Sequence, residues 1–71
     1  MTENQTPLVV LRRRAVEEKT GLSRSTLYEQ VARGEFPAPI KIGKRAVAWL
    51  EGDIQKWIAD RIAASRGSAR V

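Results

Sequence analysis

Residues 21–37 read GLSRSTLYEQVARGEFP, and this stretch decides the fold. It has the form of a short helix with a glycine on either side. Ser23 is a good N-cap, because its hydroxyl can accept from a backbone N–H left free one turn later. The helix then runs from Arg24 to about Arg33. Gly34 stops it, and Pro37 prevents a restart. Leu27 and Val31 fall on the inward face, while Arg24, Ser25, Tyr28 and Arg33 fall on the outward one. An ordinary solvated face has this composition, and so does a face built to enter a groove.

Working back from Gly21, residues 14–19 form a first short helix, ended by Thr20 and Gly21, with Ala15 and Val16 inward and Glu17 and Glu18 outward. The joint between the two helices is about four residues long and contains a glycine, as a helix-turn-helix requires. Leu8 to Leu11 is an apolar run too short for a helix, suited to an edge strand or an extended segment. Residues 1–7, MTENQTP, are polar and read as a disordered lead.

Working forward, Pro37-Ala38-Pro39 is extended and leads into IKIGKRAVAW, residues 40–49. Ile40 and Ile42 share one strand face and Lys41 takes the other. Gly43-Lys44 sits where a two-residue turn would, with glycine first as type II′ requires. Val47 and Trp49 share a face on the returning strand. The hairpin so formed has a cationic tip. A third helix starts near Leu50 or Glu51, with Glu51 and Asp53 at the positive end of its dipole. Leu50, Ile54, Trp57, Ile58 and Ile62 recur at helical spacing. The helix is expected to fray through Ala64 and Ser65 into a basic, flexible tail, residues 66–71. The sequence thus predicts a mainly α fold with a small β-hairpin: a winged helix-turn-helix of three helices plus a wing, spanning residues 8–65.

The totals narrow the function. A chain of 71 residues is one domain at most and has little interior for a deep catalytic pocket. It has no cysteine and no histidine, which removes thiolate metal sites and the commonest general base. No metal, cofactor or small-molecule substrate is expected, and no enzyme. Thirteen Lys and Arg against eight Asp and Glu leave a net charge of +5, which points to a polyanionic partner. No apolar run approaches the roughly 18 residues of a membrane span. The polar, acidic start is unlike a signal peptide. A cytoplasmic location follows as an expectation.

The charge is concentrated in three places. On the second helix, Ser23, Arg24, Ser25 and Tyr28 occupy the first two turns, the part of a recognition helix that meets base edges. Arg24 can fork onto a guanine, and Ser25 and Tyr28 can donate to phosphates. At the hairpin, Lys41, Lys44 and Arg45 suit phosphate contact, although charge on an edge strand also guards against aggregation. Arg12, Arg13 and Arg14 lie at the start of the first helix, where cations oppose the dipole. A docked phosphate offsets that cost, and so does screening by solvent. Trp49 and Trp57 are assigned to the core, and Arg33 and Lys56 to dipole and side-chain pairing.

These residues also carry a likeness. GLSRST-L-Y, then FPAPIKIG, then RAVAWLEGDIQKWI resemble the AlpA family of small phage-derived regulators and the related excisionases, over roughly residues 8–65. The resemblance implies a winged helix like that of MerR-type regulators, duplex DNA as partner, and regulation of prophage or mobile-element genes. It also implies that Arg24, Ser25 and Tyr28 lie on the recognition helix and Lys44 and Arg45 on the wing. One position departs: a basic residue often follows the tyrosine, and here it is Glu29. That carboxylate can accept from a cytosine amino group or pair with Arg33.

The expected function is sequence-specific binding of double-stranded DNA by a transcriptional regulator. The alternative is an excisionase-type architectural factor that assists an integrase. A module that docks an acidic protein is the reading from another class. A single module of this size contacts little DNA, so a second copy on an adjacent site is a further expected partner.

Overall fold

The computed structural model describes residues 8–69. Its elements are β1 (Val10–Leu11), α1 (Arg13–Thr20), α2 (Arg24–Ala32), β2 (Ile40–Lys41), β3 (Val47–Leu50) and α3 (Glu51–Ala69). The strands form one antiparallel sheet in the order β1-β3-β2, so the wing hairpin is widened by the N-terminal strand. This is a winged helix-turn-helix: α1 and α2 supply the helix pair, and β2–β3 the wing.

The helix boundaries follow from local chemistry. α1 ends on Gly21, whose φ of 77° places it in the left-handed region, and its N–H reaches the Glu17 carbonyl at 2.8 Å. The Thr20 hydroxyl donates back to the Val16 carbonyl at 2.8 Å and accepts from the Leu22 N–H at 3.3 Å, which tightens the turn. Ser23 caps α2 by accepting from the Thr26 N–H at 3.2 Å. Past α2, Gly34 takes a φ of 76° and reverses the chain toward Phe36.

The core is Val16 of α1, Leu27 of α2, Phe36, Trp49 of β3 and Ile54 of α3, with Leu11, Leu22, Val31, Val47, Trp57 and Ile58 packed around them. Trp49 is fully buried as the sequence suggests, Trp57 is only partly buried against the core, and each also fastens the loop after α2. The Trp49 indole N–H donates to the Pro37 carbonyl at 2.8 Å, and that of Trp57 to the Glu35 carbonyl at 3.0 Å. Phe36 meets the Trp57 ring edge-on, with centroids 4.9 Å apart. The GEFP segment is therefore clamped between the helix pair and the rest of the fold.

Three expectations change. First, the wing turn is not a two-residue type II′ turn. Ile40 pairs with Ala48 and Lys41 with Val47, and the Ile42 N–H donates to the Ala46 carbonyl at 2.9 Å. This register leaves Gly43, Lys44 and Arg45 together as the connection. Gly43 has no positive φ, which type II′ demands at its first central residue. Second, Ile62 is not buried. The N-terminal half of α3 packs on the core, but the helix then overhangs the body, and every side chain of residues 59–67 is exposed. Third, α3 does not fray at Ala64 and Ser65 but continues to Ala69. Ala63 and Ala64 are strong helix formers, and the cost of Gly67, about 1 kcal/mol, falls only at the end. The expected disordered lead, residues 1–7, lies outside the described residues, as do residues 70–71 of the expected tail.

Candidate nucleic-acid interface

The second helix presents its first two turns to solvent. Arg24 and Ser25 are exposed, while Leu27 beneath them is fully buried. Ser23 is exposed too, but its hydroxyl is engaged: besides capping, it donates to the Thr26 hydroxyl at 3.0 Å. Tyr28 is 38% exposed, with its ring tilted against Trp49 at a centroid distance of 6.3 Å. The core thus props the ring while part of it stays open to solvent. Glu29 pairs with Arg33 at 3.1 Å, one turn on, so the local alternative for its carboxylate is the one realised here.

The start of α1 is electrostatically uncompensated. Arg12 occupies the N-cap with extended backbone, no side chain caps the helix, and its first turn holds no acid. Arg13 is half-buried and forms an ion pair with Glu17. Arg12 and Arg14 are exposed, and among the described residues no carboxylate pairs with either. Two guanidinium groups therefore sit at the positive end of a helix dipole, beside backbone N–H groups that themselves favour an anion.

The sheet brings the wing to the same place. Leu11 pairs with Trp49, so the chain leaving β1 at Arg12 runs alongside the part of β3 that leads back to the wing tip. Arg12, Arg13, Arg14, Arg45 and Val47 line one concavity. Sequence reasoning names all four arginines but assigns them to separate contacts. That Arg45 shares a surface with the arginine triplet depends on the pairing of β1 with β3, which no local pattern announces. Lys44 is exposed in the wing connection, and Lys41 is exposed opposite Val47.

Sequence reasoning also leaves two features unassigned. Ile40 and Ile42 are 40% and 45% exposed on the wing, on the sheet face away from Trp49. The alternation of residues 40–42 is legible, but which side the helices cover is not. The other is the Gln30 side-chain oxygen, which is buried with no hydrogen-bond partner among the described residues.

The remaining cavities differ in character. One is lined by Leu8, Val9, Leu50, Glu51, Gly52, Asp53 and Gln55, with no cation. Another, at the junction of α1 and α2, mixes Arg14 with Glu17 and Glu18. Among the described residues no three His, Cys, Asp or Glu side chains are grouped to hold a metal, and no helix is long and apolar enough to cross a membrane.

Known proteins resemble this chain over most of its length. Residues 9–62 match the family described as prophage CP4-57 regulatory protein (AlpA). Over 43 residues the sequence is 51% identical to an uncharacterized protein, ORF88, of Enterobacteria phage P4, a match covering 61% of this chain and 49% of that protein. The chain thus spans about half the length of that relative. Over 64 residues it is 31% identical to the DNA-binding transcriptional activator AlpA of Escherichia coli strain K12, covering 82% of this chain and 91% of that protein.

Proposed function

The chain belongs to the AlpA family of prophage regulatory proteins, and from that premise we propose that it binds double-stranded DNA sequence-specifically, in the cytoplasm, to regulate transcription of prophage or mobile-element genes. The observation that carries this reading is the placement of charge. Arg12, Arg14, Arg24, Lys41, Lys44 and Arg45 are exposed and without a carboxylate partner among the described residues. Lys19 and Arg66 are too, but they lie in the last turns of α1 and α3, where the helix dipole favours a cation. By contrast Arg33 and Lys56 are neutralised by Glu29 and Asp60, and Arg61 lies over the Trp57 ring. Charge left uncompensated on the helix pair and wing serves no purpose in folding, and a polyanion compensates it.

The DNA-binding domain is residues 8–65. α2 is narrow enough for a major groove about 12 Å wide, with Arg24 forked onto a guanine and Ser25 and Tyr28 donating nearby. Ser23 acts chiefly through the cap that fixes the start of that helix. Glu29, held by Arg33, serves the helix rather than a base. Lys41, Lys44 and Arg45 meet the neighbouring backbone, as do Arg12, Arg13 and Arg14. One copy buries only about 600–1,000 Å² on DNA, so tight binding calls for copies on adjacent sites. Selection of bound duplexes from a random pool tests this directly. A defined consensus is expected, and recovery of unselected sequence contradicts specificity.

The exposed Ile40 and Ile42 on the wing favour a second reading. Apolar side chains beside cations are what architectural proteins press between base steps to bend a duplex. An excisionase-type factor assisting an integrase needs such a bend. Gel mobility that varies with the position of the site along a DNA fragment supports this reading. Uniform mobility excludes it.

A further inference from the structure

We infer that Arg12, Arg14 and Arg45 form one composite site for a single phosphate group, so that the start of α1 and the wing grip the duplex as a unit. The inference rests on the duplex-binding reading above and deepens it. The sequence alone makes these three residues separate phosphate contacts. The structure places all three, from two regions far apart in the chain, around one concavity.

Arg13 lines the same concavity, but its charge is already met by Glu17. The other three guanidinium groups have no carboxylate partner among the described residues. Like charges gathered in one concavity repel each other and add nothing to the fold. A phosphate group offers several acceptor oxygens to planar guanidinium forks, and two forks on different elements can hold it together. Val47 lines the concavity with them and offers no competing acceptor side chain. Arg24 and Lys44 do not line this concavity, so their contacts belong to other parts of the duplex.

One consequence separates a shared site from independent contacts. If Arg14 and Arg45 hold the same phosphate, losing one removes most of what the other contributes. The probe is a duplex selected for binding, used with wild type, Arg14→Gln, Arg45→Gln and the double variant, each checked for native circular dichroism. Each single substitution should weaken binding about tenfold, and the double variant by clearly less than the about hundredfold of additive sites. The Arg14→Gln with Arg24→Ala pair is the control and should approach that hundredfold. Arg45→Lys should recover less than half of the loss on a logarithmic scale, since it keeps charge but not the fork.

Inorganic phosphate provides the second arm, read by amide resonances at matched ionic strength. Shifts at Arg13, Arg14 and Arg45 along one curve mean that the site takes a phosphate group from any source. Coupled variants with no response to inorganic phosphate mean that it takes only the backbone phosphate of a duplex. Additive losses at Arg14 and Arg45 overturn the composite site while leaving duplex binding intact. If neither single substitution weakens the duplex, the composite site falls, and with it the assignment of these arginines to DNA.

Discussion

The first turns of α1 and α3 carry opposite side chains, and in α3 the leading N–H, that of Glu51, already donates to the Val9 carbonyl at 2.8 Å. α3 opens with Glu51 and Asp53, the arrangement its dipole favours. α1 opens with Arg12 at the cap and Arg13 and Arg14 behind it, with no acid in the turn. Both helices pack on the same core, α1 through Val16 and α3 through Ile54, so burial does not account for the difference. Elements under selection for folding alone become locally consistent, and a helix that breaks the local rule usually does so at a functional surface. α3 supports the fold at its start. The start of α1 bears a charge arrangement that its own dipole opposes and that a bound anion would favour.

This contrast can be broken or sharpened by experiment, starting with the largest effect. If Arg12, Arg14 and Arg45 share one phosphate and Lys41 and Lys44 each meet another, the slope of log affinity against log salt is about −2.7, whereas five separate contacts give about −4.5. Raising salt from 50 to 200 mM then weakens duplex binding roughly 40-fold in the first case and roughly 500-fold in the second. Titration at four or five salt concentrations measures it, and a flat response removes the reason for α1 to differ from α3. Next comes Arg24→Ala, expected to cost about 1–3 kcal/mol on the preferred site and to relax preference at one base position. Lys44→Ala should instead weaken all duplexes alike. Competition binding against single-base variants of the site separates the two behaviours.

Arg12→Asp gives α1 what α3 already has. It should stabilise the fold by about 1 kcal/mol, seen as a raised thermal midpoint, and weaken duplex binding at least about tenfold. Opposite signs for stability and affinity are the signature of a helix start kept unfavourable for binding. The smallest effect belongs to the reverse change in α3. Asp53→Asn should lower stability by about 0.3–1 kcal/mol in denaturant melts and leave duplex affinity unchanged.

Much of the fold is legible because its punctuation is local. Gly21 and Gly34 are read correctly as helix ends, since a left-handed residue is needed there and glycine adopts it at no steric cost. Ser23 is read correctly as a cap. Trp49 is read correctly as core, whereas Trp57 packs against the core but is only partly buried. The errors arise where a register or an edge of the body decides. Gly43 next to Lys44 has the composition of a two-residue turn, but pairing of Ile40 with Ala48 fixes the register and lengthens the connection. Ile62 continues the apolar stripe of α3, yet the body ends before it. Periodicity tells which face a residue shares, not how far the covering elements reach.

The candidate site divides along the same line. The identities of Arg24, Ser25, Tyr28, Lys44 and the arginine triplet are readable from charge and motif. Their grouping is not. Arg45 joins Arg12 and Arg14 only because β1 pairs with β3 across most of the chain. Likewise, the partial burial of Tyr28 against Trp49 requires α2 to lie against the sheet.

The central claim is that the start of α2 and the wing engage one duplex together. A titration of isotopically labelled protein with a selected duplex, followed through backbone amide resonances, tests it most directly. The expected result is that Arg24, Ser25 and Tyr28 shift along the same binding curve as Gly43, Lys44 and Arg45, while the exposed end of α3 stays still. Shifts confined to α3, or two unrelated curves for helix and wing, contradict it.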